Sequence, residues 1–273
     1  MSDMSTGGEG PAALAVRTAS VRHIAFGAFD DWTERIVRAL DRRSTASFID
    51  AKTAPLDAFD AVVPLQAWHY EGLARRPDLR GRKFFHPAPE TAALCEDKLR
   101  LAEFLAREGF GRHVPALRAP GPPYPYVWKR RSGYFGLHCK VVSGPEDECG
   151  LDLADQAWFA QEAVPGDVEY ATHVFRADGR IGYVATVTYE MGQSGLVKGA
   201  LTPPLVNRMV RGCPNLTLFA EILGRLDYEG TACIDYKLEA GEPRLFEINP
   251  RVGSSLIWDL NAYLDAYVGA LKA

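Results

Sequence analysis

Apolar and polar side chains alternate through Leu245-Phe246-Glu247-Ile248-Asn249, near the C-terminal end of the chain. A period of two marks a half-buried strand and puts Glu247 and Asn249 on one face. Pro250 cannot donate to a sheet ladder, so the strand should stop there and leave Arg251 just past its end. Thr231-Ala232-Cys233-Ile234-Asp235-Tyr236-Lys237-Leu238 is a second strand-like run, and Glu239-Ala240-Gly241-Glu242 between the two reads as a hairpin turn. A helix is expected over 216–226, with Leu218, Phe219, Ile222 and Leu223 inward, and a closing helix over 254–271.

Earlier in the chain the pattern changes. Segments 21–26, 47–50 and 61–65 read as strands, and 32–41 as a helix with Ile36, Val37 and Leu40 in an apolar stripe and Asp31 as its cap. Strands alternating with helices imply a parallel α/β layer over 20–89. Residues 1–19 read as a disordered leader. Lys83-Phe84-Phe85-His86-Pro87-Ala88-Pro89 closes the first unit, with two prolines limiting regular structure. A helix over 90–108 is stopped by Gly109. Segment 118–125 is proline-rich and irregular. Strands at 126–129 and 139–142 flank the loop Gly133-Tyr134-Phe135-Gly136. Glu146-Asp147-Glu148 reads as a solvated turn and 153–158 as a short helix. Segments 170–175 and 181–189 form a hairpin about Ala177-Asp178-Gly179-Arg180. Segment 191–204, with Gly192, Gly195 and Gly199, reads as a surface loop or a mobile lid.

Composition narrows the class. Of 273 residues, 47% are apolar and 24% charged, enough for a substantial core in one or two domains of a globular protein. A net charge of -4 offers no electrostatic case for nucleic acid or an anionic membrane. No apolar run reaches the roughly 18 residues of a membrane span. Cys95, Cys139, Cys149, Cys213 and Cys233 include no Cys-x-x-Cys pair, so neither a zinc site nor a disulfide framework is indicated and a cytoplasmic setting is expected. No Gly-x-Gly-x-x-Gly follows the first strand, which removes the dinucleotide fingerprint. The six histidines are scattered, and no Ser/His/Asp or Cys/His constellation stands out.

The chemistry gathers at the C-terminal hairpin. Folding it brings Asp235 beside Glu247 and Asn249, three hard oxygen ligands with Arg251 close by. That set suits Mg²⁺ bound together with phosphate. The plain alternative is an amphipathic hairpin with solvated carboxylates.

Glu247-Ile248-Asn249-Pro250-Arg251, with Asp235 twelve residues before Glu247, resembles the ATP-grasp superfamily. Its final strand commonly reads Glu-x-Asn-x-Arg, with a partner carboxylate on the preceding strand. The spacing is similar to that of biotin carboxylase, and the Glu-Ile-Asn-Pro-Arg run to that of the carbamoyl-phosphate synthetase group. The resemblance implies an α/β (α+β) fold: a short N-terminal parallel α/β domain over 20–89 and an ATP-grasp domain over 90–273, of which 126–164 covers the nucleotide. The run Glu96-Asp97-Lys98-Leu99-Arg100 is similar to the entry helix, whose lysine meets the nucleotide phosphates. Lys129, on a strand before a glycine-bearing loop, matches the second phosphate lysine, although Tyr134 and Phe135 replace the small residues usual at that loop tip. The run from Trp158 to Tyr170 resembles the hinge that holds adenine, which points to Gln161, Glu162, Ala163 and Val164. Glu169 stands seven residues after Glu162, as the ribose-binding acid does in D-alanine–D-alanine ligases, with Asp167 as its competitor.

The cofactors so implied are ATP and Mg²⁺ (magnesium), held by Asp235, Glu247 and Asn249, with Arg251 catalytic. The function so implied is an ADP-forming carboxylate–amine ligase acting through an acyl phosphate. Its partners are a small-molecule carboxylate and an amine, with no nucleic acid or membrane, and a homodimer stays open. The alternatives are a kinase of the same fold that phosphorylates a small-molecule hydroxyl, and a nucleotide-binding module without turnover.

Overall fold

The computed structural model describes residues 21–76, 84–133, 138–199 and 202–273. The expected leader over 1–19, Lys83, and the loop tip at Tyr134, Phe135 and Gly136 lie outside them. The first layer is a parallel three-stranded sheet of β1 (Arg22–Gly27), β2 (Ser44–Ile49) and β3 (Ala61–Val63), in the order β2-β1-β3. Helix α1 (Asp30–Ala39) connects β1 to β2, and α2 (Ala67–Ala74), absent from the sequence expectations, follows β3. Both faces of this sheet are covered, as parallel sheets require, so β1 reads Ile24-Ala25-Phe26 without alternation.

Next come α3 (Pro89–Glu96) and α4 (Lys98–Leu105). The single helix expected over 90–108 breaks at Asp97. This residue leaves helical geometry, with φ -92° and ψ 96°, and accepts the Arg100 N–H as the cap of α4. Arg131 holds the Asp97 carboxylate at 2.6 Å. The break makes Lys98 the first residue of a helix. An antiparallel four-stranded sheet follows: β4 (Leu117–Arg118), β5 (Tyr126–Arg130), β6 (Cys139–Val142) and β7 (Trp158–Glu162), in the order β4-β7-β5-β6. Helix α5 (Pro145–Glu148) stands where a plain turn was expected. The helix expected over 153–158 is absent: these residues make turns that lead into β7.

The largest sheet is antiparallel, with β8 (Val168–Ala177), β9 (Arg180–Glu190), β10 (Val206–Arg211), β11 (Gly230–Glu239) and β12 (Glu242–Asn249) in the order β10-β9-β8-β11-β12. Edge strand β10 was not expected from the sequence. Its exposed pattern lacks a period-two signal. Helix α6 (Leu216–Arg225) lies as expected, and the closing helix starts with a 3-10 turn (Ser254–Asp259) before α7 (Leu260–Leu271). One face of this sheet packs Val174, Ile234, Tyr236 and Ile248 on α4 and α6. The other packs Phe175, Tyr183 and Ala185 on α7 and, through it, on Ile24 and Phe26 of β1. Farther along, this second face turns polar and lies under the four-stranded sheet.

Candidate active site

The polar face begins on β11. Successive same-face residues run from Thr231, which meets Tyr263 of α7 at 2.8 Å, through Cys233 and Asp235 to Lys237. Asp235 pairs with Glu247 across the hairpin, and Cys233 with Asn249. The ladder slips between Asp235 and Tyr236, because Phe246 has no partner in it. That bulge breaks the alternation along β12: Leu245 and Ile248 enter the core, while both Phe246 and Glu247 face a cleft of about 400 Å³ between the two antiparallel sheets. The turn holds Ala240 and Gly241 at φ 51° and 85°, the left-handed region in which Gly is most at ease.

At this end Asp235, Glu247, Asn249, Arg251 and Lys98 are joined through their side chains. The Asn249 amide nitrogen donates to Glu247 Oε1 at 2.8 Å and to Asp235 Oδ2 at 3.1 Å, and Asn249 Oδ1 accepts from Arg251 at 3.2 Å. Arg251 is buried, and its guanidinium also donates to the Val252 carbonyl at 3.0 Å. Lys98 Nζ pairs with Glu247 Oε2 at 3.1 Å and donates to the Gly133 carbonyl at 3.0 Å. Burial pushes the Asp235 carboxyl up to about 7, against the pull of Lys198 and helped by the charges of Glu247 and Glu169. Burial acts upward on Glu247 as well, but Lys98 and its hydrogen bonds hold it well below the usual carboxylate range. Lys129 reaches down from β5 to the Phe246 carbonyl at 3.3 Å, between the rings of Phe159 and Phe246. Its burial lowers its pKa to about 8.

The opposite end is built from backbone. The Glu162 carboxylate does not point freely into the cleft: it accepts from Arg244 at 2.7 Å and from the Ala116 N–H at 3.1 Å. Gln161 is turned to the Pro115 carbonyl at 2.8 Å. Val164 lines the cleft, and its N–H makes no hydrogen bond among the described residues, whereas Ala163 is not among the lining residues. Glu169 is buried in the cleft wall, accepting the Lys198 N–H at 3.1 Å, and burial raises its pKa. Asp167 is exposed and outside the lining.

Sequence reasoning missed three cations here. Lys198, from the irregular segment after β9, sits 3.1 Å from Asp235 and 3.8 Å from Glu169, over the Tyr189 ring. Lys237 is fully buried, with Nζ 2.8 Å from the Leu196 carbonyl and 3.0 Å from that of Gly166. Arg244 clamps Glu162. Period two would have placed Lys237 beside Asp235. No local signal marks Lys198 or Arg244.

The donor set bears on a metal. Two carboxylates converge on one amide nitrogen, close enough to share a single cation. They fit a divalent ion with oxygen preference. Asn249 fits only with its amide turned over, because it presents nitrogen to the carboxylates. Among the described residues no group of three or more His, Cys, Asp or Glu side chains is placed to hold a metal, so a site here rests on this mixed set.

No protein-family model matches the chain, and no curated protein is significantly similar to it in sequence. Solved structures are similar in fold. D-alanine–D-alanine ligase from Bacillus anthracis, complexed with ATP, is 12% identical with a TM-score of 0.55, over 92% of this chain and 97% of that one. L-amino acid ligase from Bacillus licheniformis is 16% identical with a TM-score of 0.61, over 93% and 75%. Phosphoribosylamine–glycine ligase from Thermotoga maritima is 16% identical with a TM-score of 0.62, over 92% and 75%. The chain has the ATP-grasp fold that these ligases share. None of the described helices is long and apolar enough to cross a membrane, and all five cysteines are free.

Proposed function

We propose that the protein is an ATP-dependent, ADP-forming carboxylate–amine ligase that works through an acyl phosphate on small carboxylic or amino acids. One observation carries this reading: Asp235, Glu247, Asn249, Lys98 and Arg251 converge at one end of a cleft whose other end is a backbone hinge. The fold shared with carboxylate–amine ligases supports it.

The hinge at Gln161, Glu162, Ala163 and Val164 frames the base, with the Val164 N–H as donor, and Glu169 accepts the ribose hydroxyls. Lys98 and Lys129 carry the triphosphate charge. Asp235, Glu247 and a turned Asn249 hold Mg²⁺, which when bound neutralises charge on the phosphates. Arg251 is always cationic and binds phosphate or carboxylate through two parallel N–H donors, so it holds the transferring phosphoryl group against the acceptor carboxylate. A carboxylate oxygen of the substrate bonds to the γ-phosphorus and ADP leaves. The amine then bonds to the acyl carbon, inorganic phosphate leaves, and the new nitrogen loses a proton. No protein nucleophile is needed.

The test is ADP release against a panel of amino acids and small acids, with hydroxylamine present. A ligase yields ADP and a hydroxamate. ADP with a stable phosphate ester and no hydroxamate would replace the ligase reading with a kinase. No ADP at all would leave a nucleotide-binding module.

A further inference from the structure

Segment 191–199 forms no helix or strand beyond a single bridge between Gly199 and Thr202, yet it is fastened to the cleft floor. Backbone links are few. Met191 donates to the Asp167 carbonyl at 2.7 Å, Gly195 to that of Gly166 at 3.1 Å, and the Lys198 N–H to Glu169 at 3.1 Å. The Gly166 N–H also donates to Ser194 Oγ at 2.9 Å, and Met191 and Leu196 pack against Ala171 and Tyr189. Two lysines that cross add to this fastening. Lys237 rises from β11 to carbonyls of the segment and the hinge: Leu196 at 2.8 Å, Gly166 at 3.0 Å and Val164 at 3.5 Å. Lys198 descends from the segment to Asp235 at 3.1 Å and Glu169 at 3.8 Å.

The two lysines differ in what competes for their partners. The carbonyls held by Lys237 have no part in the cation and ribose sites assigned above, and that of Gly166 is shared only with the Gly195 N–H of the same segment. The carboxylates held by Lys198 are those assigned above to the divalent cation and the ribose, and to that extent the inference rests on the proposed function. We propose that Lys198 is a built-in counter-cation, which pairs with Asp235 and Glu169 and latches segment 191–199 over the cleft until a divalent cation and nucleotide displace it, while Lys237 is the positioning residue that keeps hinge and segment in register throughout. Displacement is a competition, so the bound latch weakens the apparent affinity for the incoming cation.

Two measurements on the full chain test this. In ligand-free Lys198→Met, amide exchange at residues 195–198 should accelerate about tenfold or more, and titration with Mg²⁺ alone should give binding about fivefold to tenfold tighter than wild type. Lys198→Arg keeps the charge and should restore slow exchange and weak Mg²⁺ binding. Lys237→Met should speed exchange at both Gly166 and Gly195 and leave Mg²⁺ affinity unchanged. Lys198→Gln repeats the first test should the Met variant fail to fold by circular dichroism. Wild-type exchange in a folded Lys198 variant, or Mg²⁺ binding no tighter than wild type, overturns the inference. If exchange and Mg²⁺ binding behave as expected and no variant binds ATP, the counter-cation role stands and the nucleotide reading falls.

Discussion

The two ends of the cleft are made of different material. At the carboxylate end, Asp235, Glu247, Asn249 and Arg251 come from one hairpin and the residues just after it, and their side chains satisfy one another. At the hinge end Glu162 and Val164 line the cleft, and their segment is held from outside it, by the Ala116 N–H and Arg244 on the Glu162 carboxylate and by Lys237 on the carbonyls of Val164 and Gly166. A site made of side chains is altered chemically by one substitution. A site made of backbone is altered only through the residues that position it. Damage at the first end should therefore appear in turnover, and damage at the second in affinity.

The sharpest way to break this contrast is Glu247→Gln. It removes one charge from the carboxylate pair and keeps the shape, and turnover should fall about 100-fold or more, measured as ADP release, with the circular dichroism spectrum unchanged. Wild-type turnover at limiting Mg²⁺ would dissolve the distinction between the ends.

Next in size is Gly253→Ala, which probes how tightly the floor beneath the carboxylate end is packed. Its φ of -88° suits any residue, so the cost is steric: an added Cβ would meet His173 Cε1 at 2.5 Å and Cys233 Sγ at 2.9 Å. Overpacking of this kind costs about 1–3 kcal/mol, to be read as a lowered denaturant midpoint at constant slope. A stability equal to wild type would mean that the floor yields.

His173 on the same floor gives a pH test. Burial, with Lys198 and Arg251 adding repulsion, pushes its pKa down to about 3 from an ordinary 6.5. The unfolded chain takes up a proton near 6.5 and the folded protein does not until about 3, so the unfolded state binds more protons in between. Stability should then fall as pH drops through that window, by up to about 1.4 kcal/mol per pH unit from this residue. Unfolding of wild type and His173→Gln at pH 7 and pH 5 isolates the contribution. A slope identical in the two proteins would count against a buried neutral imidazole.

The smallest effect belongs to the hinge. Glu162→Ala frees the Arg244 clamp and the Ala116 N–H and should raise the nucleotide KM roughly tenfold, with kcat changed by less than about twofold. A kcat loss as large as that of Glu247→Gln would show that the two ends act as one unit.

Period-two alternation and a short turn made the hairpin legible from its own residues, and with it the pairing of Asp235 with Glu247 and the shared face of Asn249. Pro250 marked where Arg251 leaves the strand. The bulge at Phe246 was not legible, because alternation gives no sign that one residue will be left without a partner in the ladder. Lys98 was legible only through a family resemblance. Its place at a helix start depends on Asp97 being held by Arg131, more than thirty residues away. Strand β10 and helix α2 were missed because neither carries a clear period. Lys198 and Arg244 were missed because their partners are remote in sequence.

By itself the sequence determined the local matters: that the clearly alternating runs are strands, where the hairpin turns, and that two carboxylates, an amide and an arginine gather at one hairpin. These follow from backbone geometry and the side-chain period, which act over a few residues. Only the tertiary structure decided that one face of the large sheet serves as core beneath α7 and as cleft farther along, that Glu162 is spent on Arg244, and that Lys198 and Lys237 cross between the floor and segment 191–199. Those outcomes depend on which distant charges and carbonyls come within about 3 Å of each other once the sheets stack, and Coulomb and hydrogen-bond energies respond to that distance and not to sequence separation.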